Sequence, residues 1–140
     1  MIDPADTRKV LGLGLSAAKA LVENGARVVI CGRSQGGVDA ALVALGSDAR
    51  GFAGDAVDPS IAEKAVALAL GEFGRLDALY HVAGGSGRSE GDGPLHEITD
   101  GGWEFTLNLN LASVFHSNRS ALRQFLAQGG PVASDVQHQA

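Results

Sequence analysis

Short apolar runs that each stop at glycine, separated by stretches of helical periodicity, leave this chain few folds to choose from. Ala26-Arg27-Val28-Val29-Ile30-Cys31 is such a run and ends at Gly32. Leu76 to Ala83 is another, cut off by Gly84-Gly85-Ser86-Gly87. Nearly continuous apolar character predicts strands covered on both faces, as in a parallel sheet. A weaker strand is expected over Arg50 to Gly54. Between these runs, Leu15, Ala18, Leu21 and Val22 mark a helix from Leu13 to Glu23, stopped by Asn24-Gly25. Val38, Ala41, Leu42 and Leu45 mark a second helix over Val38 to Leu45. Asp58 followed by Pro59 reads as an N-cap with proline at the first helical position. The helix they open is expected to run to about Phe73, with Ile61, Ala65, Leu68 and Phe73 as its stripe. A last, long helix is expected from Thr99 or Asp100 to about Ala127. This order predicts an α/β fold, a parallel sheet joined by right-handed crossovers. Ligands of such sheets bind at the carboxyl ends of the strands.

Composition narrows the function. The chain has 140 residues, enough for one domain with a real core. Eleven Lys and Arg against sixteen Asp and Glu give a net charge of −5, which argues against a broad nucleic-acid surface. No apolar run approaches the roughly 18 residues of a membrane span. Met1 to Asp6 has no apolar core and does not read as a secretory signal. The lone Cys31 cannot form an internal disulfide. A cytoplasmic domain is the expectation. His81, His96, His116 and His138 have no paired ligand spacing, so no metal site is expected.

The segments just after each strand carry the chemistry. Gly12-Leu13-Gly14 opens the first helix, where small residues let backbone N–H groups approach a diphosphate, although a glycine-rich helix start with no ligand fits as well. Cys31-Gly32-Arg33-Ser34 follows the second apolar element, Gly54-Asp55-Ala56-Val57-Asp58 the weak strand, and His81-Val82-Ala83-Gly84 ends the next run. Asn108-Leu109-Asn110-Leu111-Ala112-Ser113-Val114-Phe115 lies inside the long helix. In this order and spacing, Thr7 to Gln128 resembles the short-chain dehydrogenase/reductase family. The family's Thr-Gly-x-x-x-Gly-x-Gly turn is matched at Thr7, Gly12 and Gly14, with Arg8 where the family has its first glycine, a change expected to distort the turn. His81 stands where the family has asparagine.

The resemblance implies a Rossmann-like parallel sheet with flanking helices and an NAD(P)-dependent oxidoreductase. It places Thr7, Gly12, Leu13 and Gly14 at the diphosphate and Asp55 with Ala56 at the adenine. It places Ala83 and Gly84 near the ribose, with His81 beside them in the cofactor-binding segment as a hydrogen-bonding side chain of different reach from asparagine; as a lone histidine it reads as structural rather than catalytic. Arg33 beside Ser34, with no carboxylate at that strand's end, favours NADP over NAD, since a guanidinium fork pairs a 2′-phosphate. By itself Arg33 could equally be a solvated strand-end residue, and Asp55 a turn residue before the Asp58 cap. Asn110 matches the family's catalytic asparagine, which disrupts the helix locally. Asn108 reads as a solvated polar residue, and Trp103, Phe105 and Phe115 as core or interface. The family also pairs subunits through its long helix, here about 100–127, which implies a homo-oligomer or pairing with a full-length subunit.

The proton-transfer group of the family is not present. Tyr80 is the only tyrosine, the fourth residue after it is Gly84, and Lys9, Lys19 and Lys64 all precede it. The residues after Gly130 are short and polar, and Met1 to Asp6 does not supply the apolar first strand of a Rossmann sheet. The expected organisation is therefore one partial NAD(P)-binding domain over 1–140, with a degenerate start at 1–6, a family-like body at 7–128 and an irregular tail at 129–140. Truncation or rearrangement at both ends is expected. The expected behaviour is a polypeptide of oxidoreductase lineage that is inactive alone, or else a non-catalytic nucleotide-binding or subunit-interaction fragment.

Overall fold

The computed structural model describes residues 13–129. Helix α1 (Leu13–Glu23) leads to strand β1 (Val28–Gly32), helix α2 (Gln35–Leu45), strand β2 (Ala49–Ala53) and helix α3 (Pro59–Phe73). A long irregular stretch precedes helices α4 (Asp100–Leu107) and α5 (Ser113–Ala127), which are joined by a wide π-helical turn at Asn108–Ala112. The two strands pair in parallel, Val28 opposite Ala49 through Gly32 opposite Ala53. A parallel pair needs a crossover, and α2 supplies it.

The caps explain where the helices begin and end. Ser34 Oγ accepts a hydrogen bond from the Gly37 N–H, so α2 starts three residues before the expected Val38. Asp58 accepts from the Ser60 N–H with Pro59 in the first turn, and Thr99 Oγ1 accepts from the Gly102 N–H. Gly74 ends α3 at φ +81, a left-handed conformation open to glycine at little cost.

Successive strand residues face opposite ways. Val28 and Ile30 join Ala18 of α1, Val38, Ala41 and Leu45 of α2, and Ala49 in one buried cluster. Residues of the other parity, Val29 and Cys31, turn toward Ala62, Ala65, Val66 and Ala69 of α3. The buried line of α3 therefore includes Ala62 and Ala69, and Ile61, Ala65 and Leu68 of the expected stripe are only partly covered. Small residues allow α3 to lie close to both β1 and α5, so the covered face is the alanine face rather than the bulkiest one. Leu21 likewise departs from expectation and is exposed.

One further expectation is corrected and another is narrowed. Leu76 to Ala83 forms no ladder: it runs irregularly, because strand character needs a neighbour and no described strand lies beside it. Of the two roles expected for Trp103, Phe105 and Phe115, core or interface, exposure excludes the core and leaves the interface. Residues 1–12 and 130–140 lie outside the described residues, as do the expected degenerate start, first-strand position and most of the tail. Among the described residues no helix is long and apolar enough to cross a membrane, and no group of three or more His, Cys, Asp or Glu could hold a metal ion.

Candidate functional site

Three chain segments end at one edge of the fold. The backbone after β1, the backbone after β2 and the loop following Ala83 enclose a cavity of about 230 Å³. Gly54 ties the first two together, its N–H donating to the Gly32 carbonyl at 2.8 Å, with Cys31 Sγ 3.6 Å from the Gly54 carbonyl. A side chain at Gly54 would run into Ile61, 2.5 Å from its Cδ1. A larger residue where β2 turns toward α3 would force the Ile61 side chain to shift.

Arg33, Asp55, Ala56, Ala83 and Gly84, five residues singled out from the sequence, line this cavity together. Arg33 is exposed and is the one cation among the described lining residues, with Asp55 and Glu90 as carboxylates. Asp55 Oδ1 accepts from the Val57 N–H at 3.1 Å and its carbonyl accepts from the Asp58 N–H at 3.0 Å, so it also shapes the turn into α3. Asp58 itself is held below the ordinary carboxylate range by the side chain and backbone N–H of Ser60. Ser34 lies one residue beyond the cavity wall as the cap of α2. A hydroxyl that accepts from Gly37 keeps its own proton to donate, so the cap and a phosphate contact are compatible.

The Ala83–Gly85 wall has no strand ladder to hold it, and side chains do so instead. Asn110 Oδ1 accepts from the Gly85 N–H at 2.9 Å, while Asn110 Nδ2 donates to the Gly85 carbonyl at 2.8 Å and to the Thr106 carbonyl at 2.9 Å. The wide turn at Asn108–Ala112 presents this amide, and such turns recur at functional sites. Asn110 is thus turned onto the loop, while Asn108 is exposed. A Cβ at Gly84 would lie 2.8 Å from Asn110 Oδ1, and one at Gly87 would collide with the Thr106 hydroxyl. A larger residue at either place would force the Asn110 or the Thr106 side chain to shift.

His81 does not line the cavity. Its Nε2 is 2.9 Å from the Ala83 carbonyl and its Nδ1 is 2.8 Å from Ser117 Oγ. Burial holds its pKa below the ordinary imidazole value. Ser113 and Ser117, which meet His81 here, are not singled out by the sequence pattern, since their partner lies 32 and 36 residues away. Leu13 and Gly14 open α1, and Gly14 is not among the described residues that line the cavity; Thr7 and Gly12 lie outside the described residues. Tyr80 is exposed in the irregular stretch. A second cavity of about 350 Å³ lies between β1 and residues 75–80, walled largely by alanine, valine and leucine. It holds none of the expected site residues.

Comparison with known proteins gives a consistent pattern. The profile of the family described as short chain dehydrogenase matches residues 9–134. A D-threitol dehydrogenase of Mycolicibacterium smegmatis is 30% identical over 132 residues, covering 92% of this chain and 49% of that protein. The 3-oxoacyl-[acyl-carrier-protein] reductase FabG of Escherichia coli is 29% identical over 115 residues, 82% of this chain and 46% of its own length. The chain spans about half the length of the curated relatives it matches. Among solved structures, actinorhodin polyketide ketoreductase with NADPH superposes with a TM-score of 0.73 at 30% identity, covering 83% of this chain and 45% of that one. A short-chain type dehydrogenase/reductase from Mycobacterium ulcerans gives 0.75 at 29%, covering 84% and 44%.

Proposed function

The chain belongs to the short-chain dehydrogenase family, and from that premise we propose that it is the cofactor-holding portion of an NAD(P)-dependent oxidoreductase and does not turn over substrate by itself. The observation that carries this reading is the convergence of Arg33, Asp55, Ala56, Ala83 and Gly84 on one cavity at the strand ends. In this reading Arg33, with the Ser34 hydroxyl, pairs a 2′-phosphate. Asp55 and Ala56 meet the adenine, and Ala83 with Gly84 lets the chain pass close to a ribose. Leu13 and Gly14, with Thr7 and Gly12 before them, take the diphosphate. The bound nicotinamide would supply or accept hydride. Asn110 is the family-matched catalytic residue, and here it holds the Gly85 backbone. Within these 140 residues no tyrosine is followed four positions later by lysine, so the family's proton-moving pair is not among them. We take 1–140 as a single partial domain working in the cytoplasm.

Arg33 is the reason for preferring NADP. Titration with NADPH and NADH, followed through the single tryptophan Trp103, tests this directly. NADPH is expected to bind at least about tenfold tighter, a difference of about 1.4 kcal/mol, and Arg33→Glu to reverse the order. Equal affinities in the parent chain contradict the NADP assignment, and absence of saturable binding contradicts the whole reading.

A second reading is favoured by a different observation. Trp103, Leu107, Leu111 and Phe115 recur every four residues along α4, the wide turn and α5, and Leu122 and Leu126 follow; all are exposed. We propose that this stripe is where the chain meets a second copy or a full-length subunit.

A further inference from the structure

The Ala83–Gly85 wall is held from two sides, and only one of them is the Asn110 clamp. On the other side the His81 ring stands between the wall and α5. Its Nε2 faces the Ala83 carbonyl at 2.9 Å, and its Nδ1 faces Ser117 Oγ at 2.8 Å. Ser113 Oγ lies 3.4 Å from Nε2. Ser113 and Ser117 are 0% and 3% exposed, and their hydroxyls also reach the Leu109 and Val114 carbonyls at 2.6 and 3.0 Å.

Proton counting fixes the ring. A carbonyl only accepts, so Nε2 must carry hydrogen to bond Ala83. A neutral ring then leaves a lone pair on Nδ1, which the Ser117 hydroxyl fills by turning its single proton to the ring, at 2.8 Å, rather than to the Val114 carbonyl at 3.0 Å. Burial works against a second proton, in the same direction as the lowered pKa. The chain of bonds runs from Ser117 through His81 to the Ala83 carbonyl, and it ends on the wall of the strand-end cavity.

We propose that His81 is a positioning residue: as the neutral Nε2–H tautomer, braced by Ser117 of α5, it sets the Ala83–Gly84 backbone that lines the cavity. This rests on the cofactor reading of that cavity only for its effect on affinity. The tautomer and the backbone position stand apart from it.

The test uses the full 140-residue chain with labelled histidine. Long-range ¹H–¹⁵N spectra are expected to show His81 Nδ1 as an unprotonated nitrogen and Nε2 as a protonated one. The reverse assignment overturns the proposal. His81→Gln keeps an amide N–H for the Ala83 carbonyl, whereas His81→Leu keeps bulk alone. His81→Leu is expected to weaken NADPH about tenfold and to shift the Gly84 and Gly85 amide resonances, while His81→Gln stays within about threefold of the parent with those resonances largely restored. A leucine variant that matches the parent in both readouts, or a glutamine variant that fails like leucine, overturns it. Should His81→Leu not fold, Ser117→Ala replaces it and is expected to move the same two glycine amides. Unmoved amides in that variant overturn the proposal. Should the parent chain not bind NADPH, the cofactor reading fails, and the tautomer with the glycine amides still decides this one.

Discussion

At the scale of single residues, backbone that carries no ladder is held by two side chains. Asn110 makes three hydrogen bonds, two to Gly85 and one to Thr106. Each contributes about 0.5–1.5 kcal/mol net, and alanine recovers roughly 0.5 kcal/mol of helix propensity. Asn110→Ala is therefore expected to cost about 1–4 kcal/mol in urea unfolding and to raise hydrogen exchange at the Gly85 amide; an unchanged Gly85 exchange rate would show the clamp to be idle. His81 adds a pH dependence whose sign is fixed. Its folded pKa is held below the ordinary 6.5, so the unfolded chain takes the proton more readily. The stability linked to it is complete above pH 6.5 and is lost as pH falls through that value toward the lower folded pKa. The urea midpoint of the parent should drop between pH 7 and 5 by more than that of His81→Gln. Identical slopes would remove His81 from the titration. Arg33, Asp55, Ala56, Ala83 and Gly84 were legible in the sequence because each follows an apolar run whose end it marks. Ser113 and Ser117 were not, because their partner His81 lies 32 and 36 residues away and nothing local announces the pairing.

At the scale of elements, what was legible depended on whether the cause was local. Caps and helical stripes act within a few residues, so α1, α3 and the start of α4 lie where the pattern puts them. Leu76 to Ala83 has strand composition, yet a strand is a relation between two segments, and its neighbour is not among the described strands. The face of α3 shows the same limit from another side: alanines are buried because helices and strand must approach, a requirement set by tertiary packing. Core packing on the α1–α2 side makes its own prediction. Ile30 is 1% exposed among Ala18, Val38 and Ala41. Ile30→Ala is expected to cost about 2–5 kcal/mol, and Ile30→Val about 0.5–1.5 kcal/mol, in the same unfolding assay. Near-equal losses would mean that this cluster is not the tight core it is drawn as. The Asp58 cap belongs to this scale too. Its carboxyl is held low by Ser60, so the help it gives α3 is present above the ordinary carboxylate range and disappears as pH falls through its lowered pKa. Asp58→Ala is expected to lower the melting temperature at pH 7 and to have little effect at pH 2.

At the scale of the whole molecule, a family fold is present, and within these 140 residues no tyrosine is followed four positions later by lysine. The stripe from Trp103 to Leu126 gives a prediction of its own: the chain is expected to sediment as a concentration-dependent oligomer, and Leu111→Glu with Phe115→Glu to leave monomer. A parent chain that remains monomeric at high concentration would assign the stripe to another partner or to none. The family resemblance was legible because its motifs sit at strand ends in a fixed order. The subunit surface was legible only by resemblance, since exposed apolar spacing cannot be told from core spacing until burial is known. The central claim is that these residues form a cofactor seat built on Arg33 and the Ala83–Gly84 wall. Equilibrium titration of the purified chain with NADPH, read by Trp103 fluorescence for parent and Arg33→Glu side by side, tests it most directly. Saturable one-site binding in the parent, weakened at least about tenfold in the variant, is the predicted result; no saturation in the parent, or the same curve for both, would contradict it.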